Sequence, residues 1–505
     1  MTETDGFRIL LVYPNIGMSK MPSLAMGLLT AALKRAGITV ALFDGANYPD
    51  EGAVHEERRI ASLAYRPFDI RQTFAEVGND LQGDFRRCVD AFKPDLVAFS
   101  ILEGTWRRTR LLLAAVRDCG IPVVCGGVLP GMAPLEVLQE PGIDMLVVGD
   151  GEKVIVDICE RLRRKESPRG LPGVWTREAD GTLHKPETIE LADIDALIPD
   201  YSLVAEDQFR KPMGGRVWRM IPLEASRGCP FNCSYCNSPA QEKLARGYGH
   251  RRFLRYKSIA ALERELVEQQ RACAPEFIFF TDDSFLSRPQ EEFDAFCMMY
   301  RKIGLPFFMN TRIESVTAEK LAALRDCGCF RMSFGLEHGN EEFRRQCLGK
   351  KFDNAMVRRG VGLLRDSGIP FSINVMIGFP EETRALVFDT IELARDLQGY
   401  DALTVSIFTP FRGTVLRERL LARGWLDPAI IPAGLSEPSL LRMPPPFLQV
   451  DEIEGLFRTF ALYAYFPRER WPEIAAAERM DEAGTAAYRR LSVEYQQCKY
   501  GNGAA

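Results

Sequence analysis

Short apolar runs alternate with amphipathic stretches through most of this chain, and this alternation restricts the fold. From residue 8 to about residue 165 the apolar runs are RILLVYPN, TVALFDG, DLVAFSIL, VVCGG and MLVVGDGE, separated by helical patterns such as LAMGLLTAALKRAG. Strands that alternate with helices form a parallel sheet with helices on both faces. We therefore predict that residues 1–167 form a doubly wound parallel α/β domain of the flavodoxin or Rossmann type.

A second series of strand and helix patterns follows a break in the periodicity. In residues 168–215, which we predict to be a linker, VWTREADGTLHKP is typical of a hairpin. Over residues 216–415 six strand candidates alternate with amphipathic stretches: IPLEASRG, FIFFTDDSF, PFFMNTRI, FRMSFGLEHG, FSINVMIGF and ALTVSIFTPF. Six such units predict a partial (β/α)6 barrel. Residues 416–505 are predicted to be a mostly helical region that forms a lid or a substrate domain.

Three cysteines directly follow the first of these six strands. Cys229, Cys233 and Cys236 lie within RGCPFNCSYCN. Thiolates favour zinc, copper(I) or iron–sulfur centres, and a structural zinc site needs a fourth Cys or His nearby. The next cysteine is Cys273 and the next histidine is His250. A [4Fe-4S] cluster held here would leave one iron without a protein ligand, open to a substrate. A zinc site and three ordinary buried thiols are the alternatives.

Composition excludes several other classes of protein. The 505 residues are too many for one ordinary core, and the net charge of −5 has no basic patch of the kind that binds nucleic acid. The chain has no apolar run long enough to span a membrane, and MTETDGFRILLVYPN lacks the features of a signal peptide. With 13 cysteines and no secretory signal, we expect a cytoplasmic protein in a reducing compartment.

Polar residues follow several of the predicted barrel strands. In barrels of this kind the chemistry takes place at the carboxyl ends of the strands, so we expect these residues to lie near one another. Individually, paired acids often cap helices and an arginine is often in a surface ion pair. The residues are Asp282, Asp283, Asn310, Arg312, Ser333, Glu337 and Gly378.

The CxxxCxxC spacing after a strand, with Tyr235 before the last cysteine, resembles the signature of the radical SAM enzymes. The glycine-rich loops of the first domain resemble those of the cobalamin-binding domain that precedes the barrel in many of these enzymes. Together the resemblance covers about residues 8 to 415. It implies a [4Fe-4S] cluster, S-adenosyl-L-methionine (SAM) and cobalamin. The SAM-binding residues that it implies are Tyr235, Asp282, Asp283, Arg312, Ser333, Glu337 and Gly378, with GLEHGNEEF next to the ribose and MIGFPEET beside the adenine.

The first domain departs from the usual cobalamin pattern. Many cobalamin domains carry DxHxxG, whose histidine binds cobalt from below, and none of His55, His184, His250 and His338 lies in such a motif. A flavin or a second iron–sulfur cluster is the alternative ligand. Gly127 can equally be a turn residue and Trp106 a packing residue. The candidate cobalamin residues are Asn15, Met21, Ser100, Glu103, Gly104, Trp106, Gly126, Gly127, Gly149, Gly151 and Glu152.

The resemblance also implies a reaction. An electron from the cluster would cleave SAM to a 5′-deoxyadenosyl radical, and methylcobalamin would methylate a carbon or phosphorus activated by that radical. The expected partners are a small-molecule, natural-product, lipid or tetrapyrrole substrate and an external electron donor of the flavodoxin or ferredoxin type. A cyclisation or rearrangement without net methylation is a second hypothesis. A non-enzymatic cobalamin or redox sensor is a third.

Overall fold

The structure, a computed structural model, describes residues 6–16, 21–46, 48, 55–64, 78–178, 180–432 and 437–501. It divides into two compact units. The first unit comprises Met1–Glu51, Arg71–Cys229 and Asn237–Thr281, and the second comprises Gly52–Ile70, Pro230–Cys236 and Asp282–Ala505. The domain boundaries given above remain a prediction, and the two units are described separately below.

The first unit contains a seven-stranded sheet with the order β2-β1-β3-β4-β5-β6-β7. Its first five strands are parallel, and β6 and β7 are antiparallel. The strands are β1 (Arg8–Tyr13), β2 (Thr39–Asp44), β3 (Leu96–Ser100), β4 (Val123–Gly126), β5 (Met145–Val147), β6 (Val174–Arg177) and β7 (Leu183–His184). This arrangement confirms the predicted doubly wound domain. The hairpin assigned to the linker extends this sheet instead, because β6 is buried against β5.

The remaining strands confirm the predicted barrel segments. They are β8 (Arg210–Met213), β9 (Arg216–Leu223), β10 (Ser226–Arg227), β11 (Arg255–Tyr256), β12 (Phe277–Phe280), β13 (Phe307–Thr311), β14 (Cys329–Glu337), β15 (Phe371–Ile377) and β16 (Ala402–Ile407). In the first unit β9 pairs parallel with β12 and antiparallel with β8, while β10 pairs antiparallel with β11. In the second unit β13, β14, β15 and β16 pair in sequence order, all parallel.

Helices connect these strands, and many begin at a Ser, Thr, Asp or Asn whose side chain accepts a backbone N–H bond. The first unit contains α1 and α3 to α9, and the second contains α2 and α10 to α18. In chain order they are α1 (Leu24–Arg35), α2 (His55–Ala61), α3 (Leu81–Phe92), α4 (Trp106–Val116), α5 (Val128–Met132), α6 (Pro134–Leu138), α7 (Val154–Arg163), α8 (Ser238–Gly247), α9 (Ile259–Cys273), α10 (Gln290–Ile303), α11 (Ala318–Asp326), α12 (Glu341–Gln346), α13 (Asn354–Ser367), α14 (Arg384–Asp396), α15 (Val415–Ala422), α16 (Val450–Tyr465), α17 (Trp471–Ala477) and α18 (Glu482–Tyr500).

The predicted helical tail is confirmed as α16, α17 and α18. The aromatic side chains of α16 belong to the core, since Phe460 and Tyr463 are almost fully buried. Tyr463 packs edge-to-face against Trp471 of α17, with ring centroids 5.5 Å apart. Within the described residues, no helix combines the length and the apolar character required to cross a bilayer.

Gly127 offers a test of the first sheet. Its φ is +104°, and a Cβ there would lie 2.5 Å from the carbonyl oxygen of Ile101. Gly127→Ala should lower the free energy of unfolding by about 2 kcal/mol or more, because strain and a backbone clash combine. Gly120→Ala is the matched control, since φ is +67° there and nothing lies within 4 Å. It should cost about 1 kcal/mol. Urea denaturation midpoints measure both, and equal losses would contradict the prediction.

Candidate functional site

The cysteine loop of the second unit, residues 230–236, is fixed by backbone hydrogen bonds and by one side-chain hydrogen bond. Ser234 N–H donates to the Leu348 carbonyl over 3.2 Å, and Ser234 Oγ donates to the Cys347 carbonyl over 2.5 Å. Leu416 N–H donates to the Ser234 carbonyl over 3.1 Å. Within the loop, Cys236 N–H donates to the Cys233 carbonyl over 3.2 Å. The positions of these two thiols are therefore set by segments more than a hundred residues further along the chain.

A buried guanidinium group accompanies the Cys233 thiol. Arg312 Nη1 donates to Cys233 Sγ over 3.2 Å, and the guanidinium carbon lies 3.9 Å from the ring centroid of Phe231. Arg312 Nε also donates to Glu314 Oε1 over 3.1 Å. Burial alone would lower the pKa of Arg312, but the Glu314 carboxylate and the Cys233 sulfur outweigh it and raise that pKa. A permanent cation at this distance stabilises a sulfur that carries negative charge.

In the part of the chain that the structure describes, no three His, Cys, Asp or Glu side chains converge closely enough to bind one metal ion. Cys229 and Cys236 are half-buried and Cys233 is buried. A four-iron cluster binds each of its cysteines at a different iron, so its ligands do not have to converge on one point.

Glu337 lies at the end of β14 beside this loop. The hydroxyl of Tyr235 donates to Glu337 Oε1 over 3.1 Å, and Lys350 Nζ approaches the same oxygen at 3.1 Å. Among the described residues no hydrogen bond reaches the second oxygen, Oε2. Burial and the neighbouring Glu337 and cysteine charges raise the pKa of Tyr235 well above 10, so its phenol stays protonated and donates. One carboxylate oxygen is thus held while the other stays available.

The backbone at Glu337 is unusual. Its φ is +64°, a left-handed conformation that side-chain-bearing residues rarely adopt. The register of β14 against β15 shifts between Gly335 and Glu337. A Cβ at Gly335 would lie 1.9 Å from Glu337 Oε1, so only glycine leaves room for the carboxylate. Strained residues of this kind concentrate at functional sites, where the surrounding contacts hold them.

A buried His–Glu pair joins the segments that follow β14 and β15. Asn340 N–H donates to His338 Nδ1 over 3.0 Å, which assigns the proton to Nε2, and Nε2 lies 3.1 Å from Glu382 Oε1. Glu382 Oε2 accepts the N–H groups of Gly378 and Phe379, the latter over 3.1 Å. His338 and Glu382 are fully buried. The pair fixes the GLEHGN and MIGFPEET segments relative to each other.

The other predicted SAM residues fall in different environments. Asp282 is buried and Asp283 is exposed, and Ser333 Oγ accepts from Asn374 Nδ2 over 2.9 Å. Gly378 has φ +80°, and a Cβ there would lie 3.3 Å from Ile453 of α16, so packing alone accounts for this glycine. Two buried hydroxyls that follow β12 or end β13 have no partner among the described residues: Ser284 Oγ and Thr311 Oγ1.

Several candidate cobalamin residues lie at the carboxyl edge of the first sheet. Asn15 follows β1, Ser100 ends β3, and Gly126 ends β4. Buried Arg108 of α4 donates to the carbonyls of Asn15, over 2.5 Å, and of Gly45, over 2.7 Å. Strands β1 and β3 are neighbours from which the chain continues in opposite directions, and ligands of doubly wound sheets bind at such a switch point.

The remaining candidates are more varied. Glu103 and Gly104 form a short 3-10 turn, which leads into Trp106, the buried first residue of α4. The positive φ of Gly127 and Gly149 brings each against a backbone carbonyl, so chain packing accounts for both. Gly151 packs at ordinary distance from Leu29, Met21 is partly exposed, and Glu152 is in an ion pair with Arg227. Residues 17–20 and the side chain of His55 lie outside the described residues.

Sequence reasoning missed three buried charged or ionisable residues of the second unit: His338 as a structural partner, Lys350 and Glu382. The first two lie in the segment GLEHGNEEFRRQCLGKK and the third in GFPEET. A charged residue inside a glycine-containing turn after a strand was the available signal. It does not reveal which partner the charge meets.

Comparison with known protein families identifies both parts of the chain. Residues 18–158 match the B12 binding domain, and residues 223–394 match the Radical SAM superfamily. The chain contains a B12 binding domain followed by a Radical SAM domain. It therefore has the domain set of a cobalamin-dependent radical SAM enzyme, as the cysteine spacing and the glycine-rich loops predicted.

Curated relatives of the two-domain chain include methyltransferases and cyclases. An uncharacterized methyltransferase of Pyrococcus horikoshii is 25% identical over 377 residues, which cover 73% of this chain and 78% of the relative. The anaerobic magnesium-protoporphyrin IX monomethyl ester cyclase of Rubrivivax gelatinosus is 28% identical over 346 residues, 66% of this chain and 60% of the relative. The hopanoid C-3 methylase of Methylococcus capsulatus is 25% identical over 368 residues, 70% of this chain and 65% of the relative. The chain thus spans less than two thirds of the last two proteins.

Two solved structures share the fold. The radical SAM methyltransferase TsrM from Kitasatospora setae, with tryptophan and a SAM analogue bound, gives a TM-score of 0.61 at 17% identity, over 83% of this chain and 76% of that one. The cobalamin-dependent radical SAM enzyme OxsB, with aqua-cobalamin and SAM bound, gives a TM-score of 0.66 at 14% identity, over 98% of this chain and 72% of that one. At these identities the likeness concerns the fold.

The pairing of Lys350 with Glu337 can be tested directly. Lys350→Met should lower the free energy of unfolding by about 3–5 kcal/mol, because it leaves a buried carboxylate without its cation. The neighbouring Lys351 is exposed. Lys351→Met should change stability by less than about 0.5 kcal/mol. Urea denaturation followed by circular dichroism measures both variants, and similar effects would show that the pair has no stabilising role.

Proposed function

We propose that this protein is a cobalamin-dependent radical SAM methyltransferase that acts on an unactivated carbon or phosphorus of a small molecule. The observation that carries the proposal is the cysteine loop, in which Arg312 contacts the Cys233 sulfur and Tyr235 contacts Glu337. The cysteine loop therefore lies beside the Glu337 carboxylate at the end of β14, with a predicted cluster ligand in the same loop. The two matched domains and the methyltransferase relatives support the same reading.

The residues present fit a [4Fe-4S] cluster at Cys229, Cys233 and Cys236. Thiolates are the ligands of such clusters, and hydrogen bonds to the sulfurs are part of their usual surroundings. Arg312 supplies one such bond to Cys233. The loop is held by backbone hydrogen bonds and by the Ser234 hydroxyl, so its conformation does not depend on the cysteine side chains alone.

The residues also fit SAM. Glu337 Oε2 is suited to accept a pair of ribose hydroxyls, since Oε1 is already engaged by Tyr235 and Lys350. The orphaned hydroxyls of Ser284 and Thr311 are buried donors and acceptors that a polar ligand would satisfy. The predicted roles of Asp282, Asp283, Arg312, Ser333 and Gly378 in binding SAM are part of this proposal.

Cobalamin fits the carboxyl edge of the first sheet. Leu102, which follows β3, is a large apolar side chain with 43% of its surface exposed, and such a residue suits contact with an apolar ring system. Glu152 Oε2, in the loop after β5, is buried without a partner among the described residues. The predicted cobalamin residues at this edge belong to the proposal, together with a lower cobalt face that has no histidine from DxHxxG.

When bound, the cluster would supply the electron that cleaves SAM, and cobalamin would carry the methyl group. The task of the protein is to position these groups and to keep water away. Arg312 would stabilise the sulfur charge at Cys233, and Glu337 would orient the nucleoside of SAM from the end of β14. Lys350 and Tyr235 hold that carboxylate in its strained conformation, and α16 packs against the glycine turn at Gly378.

A cyclisation without methylation is the second candidate function. It is favoured by the relatives named as anaerobic magnesium-protoporphyrin IX monomethyl ester cyclases, which are up to 28% identical to this chain. Both functions require the same cofactors and an external one-electron donor, for which we propose a protein of the flavodoxin or ferredoxin type. A sensor without catalysis would not cleave SAM at all.

Cofactor assembly tests the proposal. After anaerobic reconstitution with iron and sulfide, the protein should bind about four irons and, with SAM and a strong reductant, release 5′-deoxyadenosine. Cys233→Ala should lose the cluster absorbance and the deoxyadenosine. Cys347→Ser is the matched control: this cysteine is adjacent in space to the loop, and burial raises the pKa of its thiol to about 12. This variant should keep both the cluster absorbance and the formation of deoxyadenosine. Retention of SAM cleavage by Cys233→Ala would overturn the proposal.

Product mass separates the two candidate reactions. With SAM labelled in its methyl group and an extract of small molecules as substrate pool, a methyltransferase should yield a labelled product that is heavier by one methylene. A cyclase should form deoxyadenosine and no labelled product. The second result would contradict methyl transfer while leaving the cofactor assignment intact.

A further inference from the structure

Arg227 lies two residues before Cys229 and joins three carboxylates. Its Nη2 is 2.6 Å from Glu224 Oε1 and 2.9 Å from Glu152 Oε1, and its Nη1 is 3.1 Å from Asp150 Oδ1. Glu224 is local, three residues earlier in the chain. Asp150 and Glu152 belong to the loop that follows β5 in the B12 binding domain. One guanidinium group therefore connects the cobalamin domain to the segment that ends at the first cysteine.

The same segment is held from its other side. In the β10–β11 ladder Arg227 is opposite Arg255, whose Nη1 donates to Asp150 Oδ2 and to the Ala192 carbonyl, each over 2.7 Å. The next residue, Gly228, has φ +98°, and a Cβ there would lie 3.0 Å from Leu254 Cα. The chain between β10 and Cys229 is thus packed against Leu254, and the adjacent Arg255 contacts the loop after β5.

Burial makes this network strong. Asp150, Glu152 and Glu224 are each less than 9% exposed, and the side chain of Arg227 is 17% exposed. Burial alone would raise the pKa of Asp150, but Arg227 and Arg255 outweigh it and lower that pKa below 3.8. Lysine cannot replace Arg227 here, since a single ammonium does not span three carboxylates in fixed directions. All these contacts lie within the first compact unit.

We infer that Arg227 is a positioning residue that couples the cobalamin loop after β5 to the cysteine segment, so that each site favours the bound form of the other. The inference rests on the proposed function, because it presumes that both cofactors bind. Its physical basis is that two loops joined by buried ion pairs share one conformation. Because the two loops move together, the cofactor that binds first sets the conformation that the second one needs, and the second does not have to impose it.

Thermodynamic linkage tests the inference without a substrate. The dissociation constant of hydroxocobalamin is measured for the full chain with and without its reconstituted cluster. In the unaltered protein, cluster loading should tighten cobalamin binding by about fivefold or more. The ratio of the two dissociation constants, without and with the cluster, should fall to about one in Arg227→Lys. A variant that is only less stable would raise both dissociation constants by the same factor and leave their ratio unchanged.

Arg219→Lys is the matched control. Arg219 is on β9 in the same unit, is 26% exposed at its side chain, and is paired with Glu206, but it contacts no residue of the loop after β5. It should keep the ratio of the unaltered protein. Should Arg227→Lys fail to fold, Glu152→Gln removes the charge at the far end of the bridge with little change in volume and should also reduce the ratio.

The possible outcomes separate a failure of the proposed function from a failure of the coupling between the two sites. Failure of the unaltered protein to bind a cluster or cobalamin would contradict the proposed function itself. Binding of both with a ratio of about one would overturn only the coupling. An unchanged ratio in both Arg227→Lys and Glu152→Gln would overturn the role of Arg227 and require another path for the coupling.

Discussion

The carboxylate of Glu337 is the point on which the arrangement of the second unit depends. It receives Tyr235 from the cysteine loop and Lys350 from the segment after α12, while its own backbone is left-handed. None of these three features is stable alone, because a buried charge, a buried phenol and a strained φ each cost free energy. Together they offset one another and fix the end of β14.

Similar pairing holds two other sets of loops in this protein. Glu382 holds His338 and two backbone N–H groups, and Arg227 holds three carboxylates. Loops expose more polar backbone than strands do, so apolar packing fixes them poorly. Ion pairs with several hydrogen bonds give them one conformation instead. The strands form the rigid part of each unit, and the buried ion pairs fix the conformations of the loops that connect them.

The sequence was sufficient to predict the strands and helices but not the contacts between buried charges. The periodicity of apolar residues predicted the strands β1 to β5. The six barrel segments overlap β9 and β12 to β16, although the first of them includes only the last three residues of β9. The cysteine spacing and the glycine-rich loops led to both domains that the family comparison found. The hairpin of β6 and β7 lies in the predicted linker because the periodicity of apolar residues breaks down there, whereas burial of Val174 and Trp175 joins it to the sheet. Lys350 and Glu382 were missed since pairing across distant segments depends on how the turns fold.

The contact between Arg312 and the Cys233 sulfur bears on redox chemistry. The potential of an iron–sulfur cluster depends on nearby charge and on hydrogen bonds to its sulfurs. A guanidinium group that donates to a ligand sulfur favours the reduced cluster, which carries more negative charge, and so raises the reduction potential. Glu314 partly cancels that charge and opposes the shift. The Arg312–Glu314 pair would therefore affect how readily a cluster bound at Cys233 accepts its electron, in addition to its role in holding the loop.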